Sequence, residues 1–301
     1  MSLAAVLLAI QVQAVVLGVA QDGGVPHLGC SRDPCEAARR DPARAERVAA
    51  LGLVATGDGS AARYFMIDAT PDFRSQVDAL LGADRVSRPK GRPLDGILLT
   101  HAHIGHYTGL MYLGRESMAS AEVPVYASER MAAFLRGNGP WKRLVSGGHV
   151  ALQVVQPGNP VVLCQGLQVE PIRVAHREEE SDALGFIVRG PKRSLLYIPD
   201  IDAWERWDRD IAALVGTVDV ALLDATFYGP GELGDRPMDD VPHPFVLDTM
   251  KRLQPLARDG RRIIFIHMNH TNPALLPGSP ERMEIERRGF EVASDGTRID
   301  L

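Results

Sequence analysis

The sequence predicts a single-domain α/β protein (α+β in some schemes), and three observations point to it. Short apolar runs bounded by Gly, Pro and Asp dominate the first half of the chain and alternate with helical stripes later. Those runs repeatedly end in a side chain able to bind a metal. No fixed-period repeat, low-complexity tract or Pro-, Gly- or Ser-rich linker divides the 301 residues.

In chain order, the apolar runs predict strands at Val15–Ala20, Leu51–Ala55, Tyr64–Ile67, Gly96–Leu99 and Val123–Tyr126, then at Leu167–Val174, Gly185–Val188, Ser194–Ile198, Val218–Leu223 and Arg262–Ile266. Helical spacing predicts helices at Cys35–Ala43, Asp72–Leu81, His106–Leu113, Glu129–Gly137, Trp204–Leu214, Pro244–Leu256 and Pro280–Arg288. Asp68, Thr100-His101, Asp200, Asp224 and His267 follow strand ends. A lone Asp there is ordinary turn chemistry. Repetition of the pattern points to one site, because a sheet aligns its strand ends along one edge.

Composition narrows the function. With 45% hydrophobic and 24% charged residues the chain is an ordinary globular protein. Its net charge of -5 gives no positive field for a polyanion, and no Lys/Arg run with interleaved aromatics marks a nucleic-acid face. The expected partner is a small-molecule or short-peptide substrate, with no nucleic acid and no membrane span. Residues 1–14 contain an apolar run, Leu3 to Ile10, and a small-residue ending without a positive start. They read either as the remnant of an export signal, implying a periplasmic or secreted protein, or as an apolar leader in a cytoplasmic one. Residues 15–301 then form the single domain.

His101 and His103 are two apart, so an extended segment sends both side chains to the same side. His106 follows after Gly105, which permits a sharp turn. Three histidines so close are costly to bury unless something uses their lone pairs, and a metal does. His176, Asp200 and His267, each after an apolar run, are the further ligand candidates among the chain's 9 histidines and its strand-end carboxylates.

The order Asp68, His101-x-His103-x-x-His106, His176, Asp200, His267 resembles the sequential motifs of the metallo-β-lactamase superfamily. The likeness is closest to the coenzyme PQQ biosynthesis protein B branch. It is carried by Val16-Leu17-Gly18, Gly23-Gly24-Val25-Pro26, Thr108-Gly109-Leu110, Arg115-Glu116, Leu223-Asp224-Ala225-Thr226-Phe227 and Phe265 to Pro273. The resemblance spans essentially the whole chain and implies a four-layer αββα sandwich. It is similar, more distantly, to the cyclic-phosphodiesterase and transfer-RNA-processing members.

That resemblance implies one or two zinc ions, with iron or manganese as alternatives, and Asp224 and His243 near the site as a proton-handling pair. The family motif is His-x-His-x-Asp-His, and Gly105 stands where its Asp would be. This predicts a weakened second ion, with Asp202 or Asp72 as substitutes for the carboxylate. Unlike many members of the branch, this chain has all three histidines of the motif. The resemblance also implies a structural zinc at Cys30, Cys35 and His270, with His27 or Asp33 as fourth ligand; a disulfide is the rival reading.

Other residues read as structural. Met111 and Met118, with Tyr107 and Tyr112, are expected in the core, as are Trp204, Trp207 and Cys164, and His149 in a loop. Loops at Arg136–Val145 and Gly229–Pro244 are expected to shape the substrate pocket.

Three functions follow. The first is a hydrolase in which metal-activated water attacks an ester, lactone, amide or phosphodiester. The second is an iron-dependent oxygenase in PQQ-type cofactor biosynthesis, which a one-metal site lacking the Gly105 carboxylate would suit. The third is a non-catalytic metal-binding carrier, against which the complete histidine triad argues.

Overall fold

The computed structural model describes residues 10–57, 59, 61–234 and 237–301. The chain lays down strands β1 (Gln11–Gly18), β2 (Ala50–Thr56), β3 (Arg63–Ile67), β4 (Gly96–Leu98), β5 (Val123–Ala127) and β6 (Val150–Val154). It continues with β7 (Val161–Cys164), β8 (Leu167–Val174), β9 (Ala183–Arg189), β10 (Ser194–Ile198), β11 (Val220–Asp224), β12 (Arg262–Ile266), β13 (Glu291–Val292) and β14 (Arg298–Asp300). These form two seven-stranded sheets, ordered β14-β1-β2-β3-β4-β5-β6 and β13-β12-β11-β10-β9-β8-β7. The helices are α1 (Asp33–Arg40), α2 (Phe73–Leu81), α3 (Ile104–Tyr107), α4 (Glu129–Gly137), α5 (Trp141–Ser146), α6 (Ile211–Val215), α7 (Val246–Arg258) and α8 (Pro280–Arg287).

Alternation along the first sheet explains its layers. Val12, Ala14 and Val16 of β1, Leu51 and Leu53 of β2, and Phe65 and Ile67 of β3 pack with Phe186, Leu196 and Ile198 of the second sheet. The residues between them, Val15, Leu17, Tyr64 and Met66, pack on Phe73 and Val77 of α2, Met131 and Leu135 of α4, and Trp141 of α5. Both faces are buried, so these strands read as near-continuous apolar runs. Val246, Met250 and Leu253 of α7 and Ile285 of α8 join the core of the second sheet. The result is the αββα sandwich.

The chain enters the fold earlier than expected. β1 begins at Gln11, which pairs with Thr56, and Val12 and Ala14 are buried, so Gln11 to Ala14 belong to the domain and not to a leader. The rest of the apolar N-terminal run, residues 1–9, lies outside the described residues. The helix expected over Trp204–Leu214 is a 3-10 turn, Trp204–Arg206, followed by α6, because Asp210 caps the second piece by accepting the N–H groups of Ala212 and Ala213. His106–Leu113 likewise divides into α3 and a 3-10 segment, Thr108–Leu113. Trp204 and Trp207 are buried, but Met111 and Met118, expected in the core, are 47% and 42% exposed. Cys164 is half-buried against the core, and the His149 ring pairs with the Ser120 carbonyl. Among the described residues no helix is long and apolar enough to cross a membrane.

Glu46 connects this packing to pH. Burial, then the Asp295 charge, push its carboxyl up to about 7 from the ordinary 4.5, against the opposing pull of Arg282 and Arg47. A raised carboxyl favours the fold while protonated, so its contribution is complete below about 4.5 and is lost as pH climbs through about 7. Glu46→Gln is expected to raise the melting temperature at pH 8 by roughly 2–4 °C, corresponding to about 1 kcal/mol, and to leave it nearly unchanged at pH 5. Equal shifts at both pH values in thermal melts would contradict this origin.

Candidate metal centre

Strand direction decides where the site forms. In the first sheet β1, β3 and β4 run the same way, and in the second β8, β10, β11 and β12 do. Their carboxyl ends deliver Asp22, Asp68 and His101 to His106 from one sheet, and His176, Asp200, Asp224 and His267 from the other. Asp68 (φ 70°) and His267 (φ 64°) both take the left-handed backbone region that non-glycine residues seldom enter. Each such residue costs on the order of 1–3 kcal/mol, a strain typical of functional sites.

Asp200 lies at the centre. Its Oδ2 is 3.3 Å from His101 Nε2 and 3.2 Å from His176 Nε2, and His176 Nε2 is 3.1 Å from His103 Nδ1. Two ligands on one tetrahedral ion, each at about 2.0–2.1 Å, stand about 3.3 Å apart. The same Oδ2 is 3.6 Å from His106 Nε2 and 3.8 Å from His267 Nε2. Among the described residues three overlapping donor groups result, His101-His103-His176-Asp200, Asp22-His106-His267 and Asp200-Asp224-His267, with Asp200 between the first two. The Nε2 atoms of His101, His106 and His267, Asp22 Oδ1 and Asp200 Oδ1 are buried without a hydrogen-bond partner. Buried polar atoms left unpaired are costly, and coordination satisfies them, so the donor set fits a metal centre.

The outer nitrogens of the rings are held. His106 Nδ1 lies 2.7 Å from Asp68 Oδ2, while Asp68 Oδ1 accepts from the Thr100 N–H at 2.8 Å. His176 Nδ1 is 3.0 Å from Asp202 Oδ1, His101 Nδ1 is 3.0 Å from Thr100 Oγ1, and His267 Nδ1 is 3.2 Å from Thr226 Oγ1. Such contacts fix the ring and leave the other nitrogen's lone pair for the centre. Charge follows the same layout. Burial, reinforced by His106, holds His101 well below the usual imidazole range, and burial holds His267 down. Burial also works against protonation of His176 and His106, but Asp200 carries the first up to about 10 and Asp68 carries the second well above normal. Asp200 stays ionised despite burial because His176, His267 and His243 surround it.

Asp224 and His243 sit beside this group. His243 Nδ1 is 2.7 Å from Asp224 Oδ2 and 3.3 Å from Asp200 Oδ1. Asp224 is itself fixed by the N–H groups of Ile201 and Thr226. His243 is buried, which opposes its charge, yet Asp224 and Asp200 raise its pKa.

Other sequence expectations fall elsewhere. Asp72 accepts the Val48 N–H and takes no part in the donor groups, and Asp202 stands behind His176. Cys30 and Cys35 are joined in a disulfide with Cα atoms 6.1 Å apart, so the structural zinc expected at Cys30, Cys35 and His270 is corrected. Sulfurs bonded to each other offer no thiolate. His270 stacks on His27, with ring centroids 4.2 Å apart, and burial followed by the His27 charge lowers its pKa to about 4. Asp33 is the first residue of α1. The cleft at the centre, about 320 Å³, is lined by Asp22, His103, Ile104, Arg177, Glu179 and Ser181 among others. The loop expected over Arg136–Val145 is instead mostly the end of α4 and the start of α5, and it contributes Pro140, Trp141, Arg143 and Leu144 to a separate hollow; Gly229–Pro244 is described except for residues 235 and 236.

Asp22 was not foreseen. It follows the β1 run by the same strand-end pattern as Asp68 and Asp200, but Asp22-Gly23-Gly24 reads as an ordinary turn.

Comparison with known proteins agrees with this geometry. Residues 63–268 match the model of the beta-lactamase superfamily domain. The coenzyme PQQ synthesis protein B of Cupriavidus taiwanensis is 30% identical over 95% of this chain and 98% of its own length; that of Cupriavidus necator is 29% identical over 95% and 98%. Among solved structures, Zn(2+)-bound PqqB from Methylobacterium extorquens superposes with a TM-score of 0.77 at 24% identity, covering 96% of this chain and all of the other. A diphosphatase from the PhnP family gives 0.65 at 23% identity, covering 97% and 98%. The chain belongs to the metallo-β-lactamase superfamily, in the branch of the coenzyme PQQ synthesis protein B proteins.

Proposed function

We propose that this chain is a zinc-dependent hydrolase in which metal-activated water cleaves an ester, lactone, amide or phosphodiester. One observation carries the reading: a single carboxylate oxygen, Asp200 Oδ2, lies 3.2–3.8 Å from the Nε2 atoms of four histidines supplied by both sheets. His101, His103, His176 and Asp200 would hold one ion, and His106 and His267 with Asp200 a second. Bound metal supplies Lewis acidity and a nucleophilic water at neutral pH. The chain's own part is to orient the rings through Asp68 and Asp202, to keep Asp200 ionised, and to present His243, backed by Asp224, as proton donor to a leaving group.

Zinc content of the protein as purified, paired with a screen of esters, lactones, amides and phosphodiesters, tests the reading. The His101→Ala/His103→Ala protein should lose both zinc and turnover; turnover that survives loss of metal would overturn the assignment. At Asp202→Asn the ring behind the first position loses its anionic partner, and zinc affinity is expected to fall about 10–100-fold. Competition with a chromogenic chelator measures this, and unchanged affinity would remove Asp202 from the account.

The relatives are named for coenzyme PQQ synthesis, which keeps a second reading in view, an iron-dependent oxygenase in PQQ-type cofactor biosynthesis. Its sequence premise was a site lacking the Gly105 carboxylate, and a carboxylate, Asp22, is present at that place. Iron retained under anaerobic purification, with oxygen uptake on adding a precursor peptide, would move it ahead of hydrolysis.

A further inference from the structure

Three features of the β1–α1 loop and its surroundings meet at one point. Asp22 Oδ1, His106 Nε2 and His267 Nε2 are each buried without a partner, and they lie within reach of a common ion, with Asp22 Oδ1 3.6 Å from His106 Nε2. A Cβ built on Gly105 would overlap the Asp22 carboxylate and come within 2.7 Å of its Cα. Finally, the loop is pinned to the strand end that carries His267: the Gln21 N–H donates to the Met268 carbonyl at 2.9 Å, and the Met268 N–H to the Val19 carbonyl at 2.8 Å.

We propose that Asp22 is the carboxylate ligand of the second metal position and that it replaces, from the other end of the sheet's sequence, the side chain absent at Gly105. Position 105 must then be glycine because the carboxylate already fills the space a side chain would need. The loop after β1 lies at the correct edge because β1 runs in the same direction as β3 and β4. Asp68 orients His106 from behind, and the Met268 backbone bonds set Asp22 and His267 in register with each other. Gly105 therefore marks a relocated ligand and not a lost one. The inference rests on the two-position reading of the proposed hydrolase.

The test counts zinc and does not depend on turnover. Dialysed protein, Asp22→Ala, the near-isosteric Asp22→Asn, and the exchange variant Asp22→Gly/Gly105→Asp are analysed for bound zinc, with far-ultraviolet circular dichroism as the folding check. Wild type is expected to hold two zinc ions, and the two single variants one, with affinity for the second ion lowered about 100-fold or more. The exchange variant is expected to regain the second ion, and cobalt titration should show its ligand-field bands return. Two ions retained at unchanged affinity in Asp22→Ala and Asp22→Asn would overturn the proposal while leaving the hydrolase reading intact. One ion in wild type, undisturbed by His106→Ala, would also overturn it. No zinc in wild type under metal-replete conditions would remove the hydrolase reading itself.

Discussion

Asp200→Ala is expected to empty both metal positions and to lower kcat/KM by about 10³-fold or more, the largest single-residue effect in the molecule. Its Oδ2 lies within 3.8 Å of the Nε2 atoms of His101, His106, His176 and His267 together, so no single histidine change removes as much. Loss of the anion also leaves those buried rings facing one another without the charge that offsets their mutual repulsion. Asp200→Asn separates the two contributions, since it keeps the shape and discards the charge. Zinc analysis and steady-state kinetics check both variants. Turnover within tenfold of wild type in Asp200→Ala would show that chemistry occurs away from this centre.

The second large effect is expected at His243. If it donates a proton to the departing group, His243→Ala should cost about 10²–10⁴-fold on substrates with poor, alkoxide-like leaving groups. Activated aryl leaving groups need no proton and should lose far less. Asp224→Asn should reproduce that selective pattern more mildly, because Asp224 Oδ2 holds His243 Nδ1 at 2.7 Å. Zinc content should stay at the wild-type level in both. A plot of kcat/KM against leaving-group pKa distinguishes the cases: a uniform loss across all substrates would assign His243 to positioning and not to proton transfer.

Much of this was legible in the sequence where a short segment carries its own chemistry. His101, His103 and His106 are close enough in sequence that spacing alone announces a shared ligand, and buried strands such as Ser194–Ile198 and Arg262–Ile266 match the structure to the residue. What escaped notice was exposed or non-local. β6 and β7 are sheet-edge strands whose side chains are partly exposed, so they carry a weak apolar signal. Asp22 is separated from His106 in sequence by strands β2, β3 and β4, and the shared direction of β1 and β4 brings them to one edge. The zinc expected at Cys30 and Cys35 failed for a different reason: residue spacing cannot distinguish two thiolates from one disulfide.

The metal donors do not belong to one sheet. Asp22 and the His101–His106 segment hang from the first, while His176, Asp200 and His267 hang from the second. Away from a few backbone bonds at this edge, the sheets meet through apolar contacts, which resist separation but have little directional preference. An ion seated at the rim would act as a rivet through two plates, locking their relative slide at the edge where the Ala20–Met268 backbone bridge already ties the first sheet to the second. Metal occupancy would then set the mechanical stiffness of the sandwich as well as its chemistry, and every increment in binding strength would add to the free energy of the folded state.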